Sequence, residues 1–291
     1  LTRTSGCVTQ MGNQIHNHPS GNYRRVVEII QAGVIGPVQR VHVWLEGVSH
    51  FVVGKRVGKG DPPKGINYDQ WIGPAPYRPF HPSHFHFKWR YWWDFGGGQL
   101  ADFWCHYADL PFWALGLERP TTVHAQGKKG HNGENDVPKQ MQVEYHFPAR
   151  GDAPPVHLTW YHGGPMPEGA EAYGKRSAVL FEGEKGRLLA DYTTHKLFFD
   201  GDQQATAVKQ TIPDSIGHHR EWIEAIKANN VNTTCNFRYG GMLVEAGLLG
   251  NVSYRAGQTR LDWDADRLQA TNCPQAAALI RSTYRKGWKL A

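Results

Sequence analysis

Apolar residues recur with two different periods along the chain. From Tyr23 they fall at Tyr23, Val26, Val27 and Ile30, the i, i+3, i+4, i+7 stripe of an amphipathic helix. Pro19 and Ser20 supply start signals, and Gly33 stands where a left-handed cap ends such a helix. A short apolar run from Val8 to Met11 precedes it as a strand. Beyond Gly36-Pro37, the alternation of Val41, Val43 and Leu45 with His42 and Trp44 predicts another. Strand, helix, strand is half of a βαβ arrangement, and it reads as the tail of a parallel α/β domain. Such a unit cannot cover both faces of its own sheet.

The period then changes. Residues 54–82 are rich in Gly and Pro and read as ordered loop, followed by a dense aromatic stretch from Phe85 to Phe95. Leu100, Phe103, Trp104 and Tyr107 predict a helix over 99–117. Met141, Val143, Tyr145 and Phe147 alternate, as do Val156, Leu158 and Trp160. Three further short strands are expected at 178–181, 187–192 and 196–199, joined by tight turns. Sequential strands with short turns imply a mostly antiparallel sheet. The last third returns to helices, with one stripe at His219, Trp222, Ile223 and Ile226 and another over 242–252.

Composition narrows the function classes. The 291 residues are 40% hydrophobic and 20% charged, which excludes disorder as the main state and suggests about two domains. No stretch approaches the roughly 18 uninterrupted apolar residues of a membrane helix. Lys and Arg exceed Asp and Glu by 32 to 26, but the excess is spread along the chain, so neither nucleic acid nor membrane is an expected partner. Cys7, Cys105, Cys235 and Cys273 are far apart and form no C-x-x-C pair. There is also no G-x-G-x-x-G fingerprint after a strand, no P-loop and no G-x-S-x-G elbow.

Three constellations could carry chemistry. In Gly96-Gly97-Gly98-Gln99-Leu100-Ala101-Asp102-Phe103-Trp104-Cys105-His106, glycines open a helix on which Asp102 and His106 share one face. An imidazole there can take a proton from an alcohol while the carboxylate stabilises its charged form. On spacing alone, a solvated Asp–His pair is the commoner outcome. The second is the polar turn Met11-Gly12-Asn13-Gln14-Ile15-His16, at the carboxyl end of a strand where open α/β sheets bind ligands; a plain Asn/Gly turn explains it equally well. In the third, His84, His86 and Lys88 would share one face of a strand. No third ligand completes a metal site there, so none is expected.

Several motifs, in order along nearly the whole chain, resemble the glucose-fructose oxidoreductase / inositol dehydrogenase / MocA (Gfo/Idh/MocA) family, in its bacterial branch with a long C-terminal domain. They are Met11-Gly-Asn-Gln-Ile-His16, Tyr23-Arg-Arg-Val-Val-Glu-Ile-Ile-Gln-Ala-Gly33, Gly36-Pro-Val, Tyr68-Asp-Gln-Trp-Ile-Gly-Pro-Ala-Pro76 and Trp93-Asp-Phe-Gly-Gly-Gly98 through His106. Phe181-Glu-Gly-Glu-Lys-Gly-Arg-Leu188, His219-Arg-Glu-Trp-Ile-Glu-Ala-Ile226 and Leu248-Leu-Gly-Asn-Val-Ser-Tyr254 follow. The resemblance implies an α/β plus α+β chain. Residues 1–46 would be the remnant of a Rossmann domain, and 47–291 a substrate-binding and oligomerisation domain with a large, mostly antiparallel sheet flanked by helices.

It implies an NAD(P)-dependent oxidoreductase acting on a secondary alcohol of a sugar or polyol, with NAD or NADP as cofactor and a homo-oligomer built through the sheet. Asp102 and His106 match the family's Asp-x-x-x-His pair, with His106 as acid/base and Asp102 as its orienting partner. Asn13 and Gln14 match the turn near the nicotinamide, and His16, Trp89, Arg90 and Asp94 are expected around the substrate. By the same resemblance, residue 1 falls after the family's glycine fingerprint and its Glu-Lys-Pro lysine. The expectation is therefore an N-terminally truncated chain with little or no activity alone, and its compartment, cytoplasm or periplasm, stays open. Two alternatives remain: a cofactor-free carbohydrate-binding or assembly module, and redox-neutral, NAD-dependent glycoside cleavage.

Overall fold

A computed structural model describes residues 2–46, 52–56, 60–199, 201 and 207–289. After a short helix α1 (Thr2–Ser5) and a 3-10 turn (Gln14–Asn17), the predicted amphipathic helix is α2 (Asn22–Gln31), and Gly33 closes it with φ +69°. Strand β1 (Val38–Leu45) follows, then the small helix α3 (Tyr68–Ile72), whose N-cap Asn67 accepts from the Gln70 amide. The predicted helix over 99–117 is two helices, α4 (Gly98–Tyr107) and α5 (Asp109–Leu115). Pro111 accounts for the break, because it cannot donate to the carbonyl four residues back and its ring crowds that position.

Strands β2 (Thr122–Lys128), β3 (Gln140–Phe147), β4 (Val156–His162), β5 (Ser177–Gly183), β6 (Gly186–Ala190) and β7 (His195–Phe198) come next. Helices α6 (His218–Lys227) and α7 (Phe237–Arg255), strands β8 (Leu261–Asp264) and β9 (Gln269–Ala270), and helix α8 (Ala277–Ile280) complete the order. Among the described residues no helix is long and apolar enough to cross a membrane.

The nine strands form one mixed sheet in the order β7-β6-β5-β1-β4-β3-β2-β8-β9. Every pairing is antiparallel except β1 with β4, in which Val41 lies beside Leu158 and Val43 beside Trp160. β1 is thus a central strand of the large sheet, and the expected division after residue 46 falls at its end rather than between two sheets. The alternation Val41, Val43, Leu45 has its cause here: one face of a central strand is packed and the other is partly polar.

Helices α2, α4, α5 and α7 share one core with Val41, Val43, Val143, Tyr145, Leu158 and Trp160. Helix α7 approaches the sheet closely. A Cβ on Gly250 would lie 2.6 Å from Tyr145 Oη and 2.7 Å from Leu100 Cδ2, so only glycine lets α7 wedge between α4 and β3. Trp104 Nε1 donates to the Leu243 carbonyl at 2.7 Å and locks the same junction.

Two local expectations are corrected. Residues 8–11 are not a strand; they run as irregular chain, with the Met11 amide donating to the Cys235 carbonyl at 2.8 Å. The His84–Lys88 segment is not a strand either. It forms two 3-10 turns, Pro82–His84 and His86–Tyr91, with His86 in the left-handed region at φ 57°, so His84, His86 and Lys88 do not share a face. The helix expected at His219–Ile226 is present as α6, and its stripe lies at the surface of the described residues, with Trp222, Ile223 and Ile226 at 43–50% exposure.

Gly250→Val should lower unfolding stability by about 1–3 kcal/mol in a urea titration, because the added methyls overpack the α4–α7–β3 junction. An unchanged midpoint would show that α7 can move away at no cost.

Candidate active site

Helix α4 starts from a crowded turn. A Cβ on Gly96 would sit 2.6 Å from the Arg90 carbonyl oxygen, so the glycine lets the aromatic segment fold against the helix start. Asp102 and His106 lie one turn apart on α4, both half-buried. Asp102 Oδ1 accepts from Arg90 Nε at 3.1 Å. The Arg90 guanidinium lies 4.6 Å from the Trp89 ring and 4.8 Å from that of Phe87, contacts that hold a planar cation in a fixed orientation. Trp89, Arg90 and Asp102 are therefore brought together, with His106 one helical turn along α4 from Asp102.

Burial pushes the His106 pKa below the ordinary imidazole value, while the charges of Asp102 and Asp109 pull it up. The imidazole is accordingly neutral near pH 7, the form that can accept a proton.

A second, buried cluster begins one turn further on. Asp109, the first residue of α5, has 0% exposure. Tyr239 Oη, from α7, donates to its carboxylate at 2.6 Å, and His16 Nε2 faces it at 2.7 Å. A carboxylate accepts, so this contact places a proton on His16 Nε2. The His16 ring stacks on Trp113 at 4.1 Å, and Arg24 Nε donates to the His16 carbonyl at 3.0 Å. Burial and the neighbouring Asp109 raise the Tyr239 pKa well above the phenol value, so it remains an O–H donor. Tyr23 Oη donates to the His106 carbonyl at 3.0 Å and joins this cluster to α4.

The other expected residues divide. Asn13 is 1% exposed, and both polar atoms of its side chain are buried without a partner among the described residues. Gln99, in the first turn of α4, is in the same state. Gln14 is exposed. His16 is enclosed by Asp109 and Trp113, and only its Nδ1 lacks a partner. Asp94 is engaged by Arg56 (3.4 Å) and Arg78 (3.2 Å). It lines a cavity of about 580 Å³ with Trp71, Trp89, Trp93 and Arg255, whose lining includes neither Asp102 nor His106. His84 is caged by Tyr68, whose Oη lies 2.8 Å from its Nε2. Burial and the nearby Arg56 lower its pKa to about 4.

Sequence reasoning assigned no role to Asp109 or Tyr239. Asp109 follows the Asp102/His106 pair at helical spacing, but nothing local marks Tyr239, which is 130 residues away.

Asp109→Ala should destabilise the fold by roughly 3 kcal/mol or more, because it leaves a buried imidazole N–H and a phenol unpaired. Tyr239→Phe should cost about 1 kcal/mol. Equal, small losses in chemical denaturation would show that the carboxylate does not hold these segments together.

A family model described as the oxidoreductase family, C-terminal α/β domain, of the Gfo/Idh/MocA type matches residues 21–290. The chain belongs to that family. No curated protein matched by sequence. Among solved structures it is similar to an oxidoreductase from Thermotoga maritima (13% identity, TM-score 0.50, 87% of this chain and 61% of that one). It is also similar to levoglucosan dehydrogenase in complex with NADH and levoglucosan (13%, 0.53, 89% and 67%). A super-repressor mutant of Gal80p from Saccharomyces cerevisiae gives 15%, 0.51, 90% and 66%. At these identities the likeness is one of fold, and the chain spans 61–67% of the length of those three proteins.

Proposed function

From membership of the Gfo/Idh/MocA oxidoreductase family, we propose that this chain forms the substrate side of an NAD(P)-dependent oxidoreductase acting on a secondary alcohol of a sugar or polyol. The observation that carries the reading is the pair Asp102 and His106, half-buried on one face of α4, with Arg90 fixed on Asp102 and burial lowering the His106 pKa. Complexes of one fold relative with NADH and levoglucosan, and with NADH and L-sorbose, support a substrate of the sugar class.

When bound, the nicotinamide supplies a hydride acceptor. His106 accepts the hydroxyl proton as the alcohol is oxidised and returns it in the reverse direction. Asp102 stabilises the imidazolium that forms, and buried Asp109 adds a second negative charge in the same sense. Arg90 offers the guanidinium N–H groups not used by Asp102 and the Phe87 carbonyl to a substrate oxygen, and Trp89 gives a flat face for a sugar ring. His16, enclosed against Asp109, acts as a positioning residue. The unpaired Asn13 amide fits a polar group brought by a ligand, and with Gln14 it is assigned to the nicotinamide end. The sequence holds no glycine fingerprint, so this reading gives the chain no pyrophosphate cradle.

His106→Ala should lower kcat by roughly 10²–10⁴-fold with a much smaller change in KM, measured as NAD(P)H formation by the natively purified protein with a panel of sugars and polyols. An unchanged kcat removes His106 from the reaction, and sugar cleavage without net NAD(P)H would favour the redox-neutral route. Independently of activity, Asp102→Asn removes a charge that raises the His106 pKa. Titration of that imidazole by NMR should therefore move to lower pH; a move to higher pH would contradict the electrostatic assignment.

A further inference from the structure

We propose that Glu144, His146 and His157 form a binding site for a divalent transition metal of the zinc class, on the face of the sheet opposite the α-helices. Glu144 and His146 are two residues apart on β3 and so project to the same side, while His157 on β4 is the direct cross-strand partner of His146. One ligand atom from each of the three lies within 4.8 Å of the others. Tetrahedral zinc with bonds of about 2.0–2.2 Å places its ligand atoms about 3.4 Å apart. Closing that difference is a matter of turning the three side chains on a hydrogen-bonded ladder.

The two rings are neighbours, with centroids 4.3 Å apart and an interplanar angle of 9°, and both must turn out of this stacked arrangement to aim their in-plane lone pairs at one ion. His157 Nε2 is buried and has no partner among the described residues, a condition a metal bond would relieve. Gln142 Nε2 donates to Glu144 Oε1 at 3.4 Å and orients the carboxylate from behind. Arg40, beside His157 on β1, and His42 oppose a bound cation, so the carboxylate of Glu144 is essential to the balance.

Two imidazoles and one carboxylate suit zinc or cobalt rather than magnesium or calcium, which prefer all-oxygen shells. His146 is exposed, so the fourth position opens to solvent. The site lies across the sheet from α4, and the reaction proposed for His106 makes no use of it.

The test is titration of the tag-free, metal-stripped protein with Co²⁺ followed by visible absorption, and with Zn²⁺ by calorimetry. One metal per chain and the intense absorption of four-coordinate Co²⁺ are expected. His157→Ala and Glu144→Gln should each weaken binding by at least roughly tenfold, whereas His86→Ala, at an exposed histidine outside the cluster, should not. Glu144→Gln is isosteric and His146→Ala is at an exposed position, so these two variants decide the matter if His157→Ala does not fold. Absence of one-to-one binding, or affinity unchanged in Glu144→Gln and His146→Ala, overturns the proposal.

Discussion

A carboxylate with no exposure to water must be met by donors, and Asp109 finds them in two segments far from it in the chain. His16 comes from the turn after residue 13, and Tyr239 comes from the first turn of α7. Removing either leaves a buried polar atom unpaired, so the three segments are held as a unit. Asp109 stands two residues beyond the end of α4, just after the turn that separates α4 from α5. Tyr23, hydrogen-bonded to the His106 carbonyl, ties the same helix end to α2. The negative charge of Asp109 reaches His106 as well, raising the pKa that burial lowers. One buried group thus contributes to the fold and to the electrostatics of the candidate site.

The sheet separates two chemistries by the period of its strands. Along β3, Val143 and Tyr145 point to the helices while Glu144 and His146 point away. The helical side carries the large apolar core on which α4 and α7 sit, close enough at Gly250 that no side chain fits. The opposite side is part apolar, where Trp44, Tyr161 and Leu180 pack under the 3-10 turn Ala170–Tyr173, and part polar, where the histidines gather. A one-residue slip of β4 against β3 would remove His157 from the cluster and take Leu158 and Trp160 out of the core together, so core packing holds the register that the polar face needs.

Much of this was legible in the residues alone. Periodicity placed α2, β1, β3 to β7 and α7, because each buries one face against a core and the pattern records that face, and it also placed α6, whose stripe stands exposed. The Asp102/His106 pair was legible too, since i and i+4 share a helix face whatever the surroundings. One segment misled for an identifiable reason, and one kept its period without the burial that usually accompanies it. The aromatic and histidine alternation over 84–89 has a strand's period, yet the local chain winds through His86 at positive φ into 3-10 turns. The stripe of α6 announces a buried face, while Trp222, Ile223 and Ile226 stand at the surface of the described residues.

Local sequence therefore determined the main helices, most of the strands, the shared helix face of Asp102 and His106 and, by the succession of its motifs, the family. It could do so because those features depend on spacings of four residues or fewer, or on motifs that stay contiguous. The tertiary structure alone decided that β1 joins the centre of the sheet, that Tyr239 and His16 converge on Asp109, and that His157 faces His146. Each of these depends on contacts between residues 10 to more than 100 positions apart. Such contacts are selected by the packing of the whole core, and no local pattern encodes them.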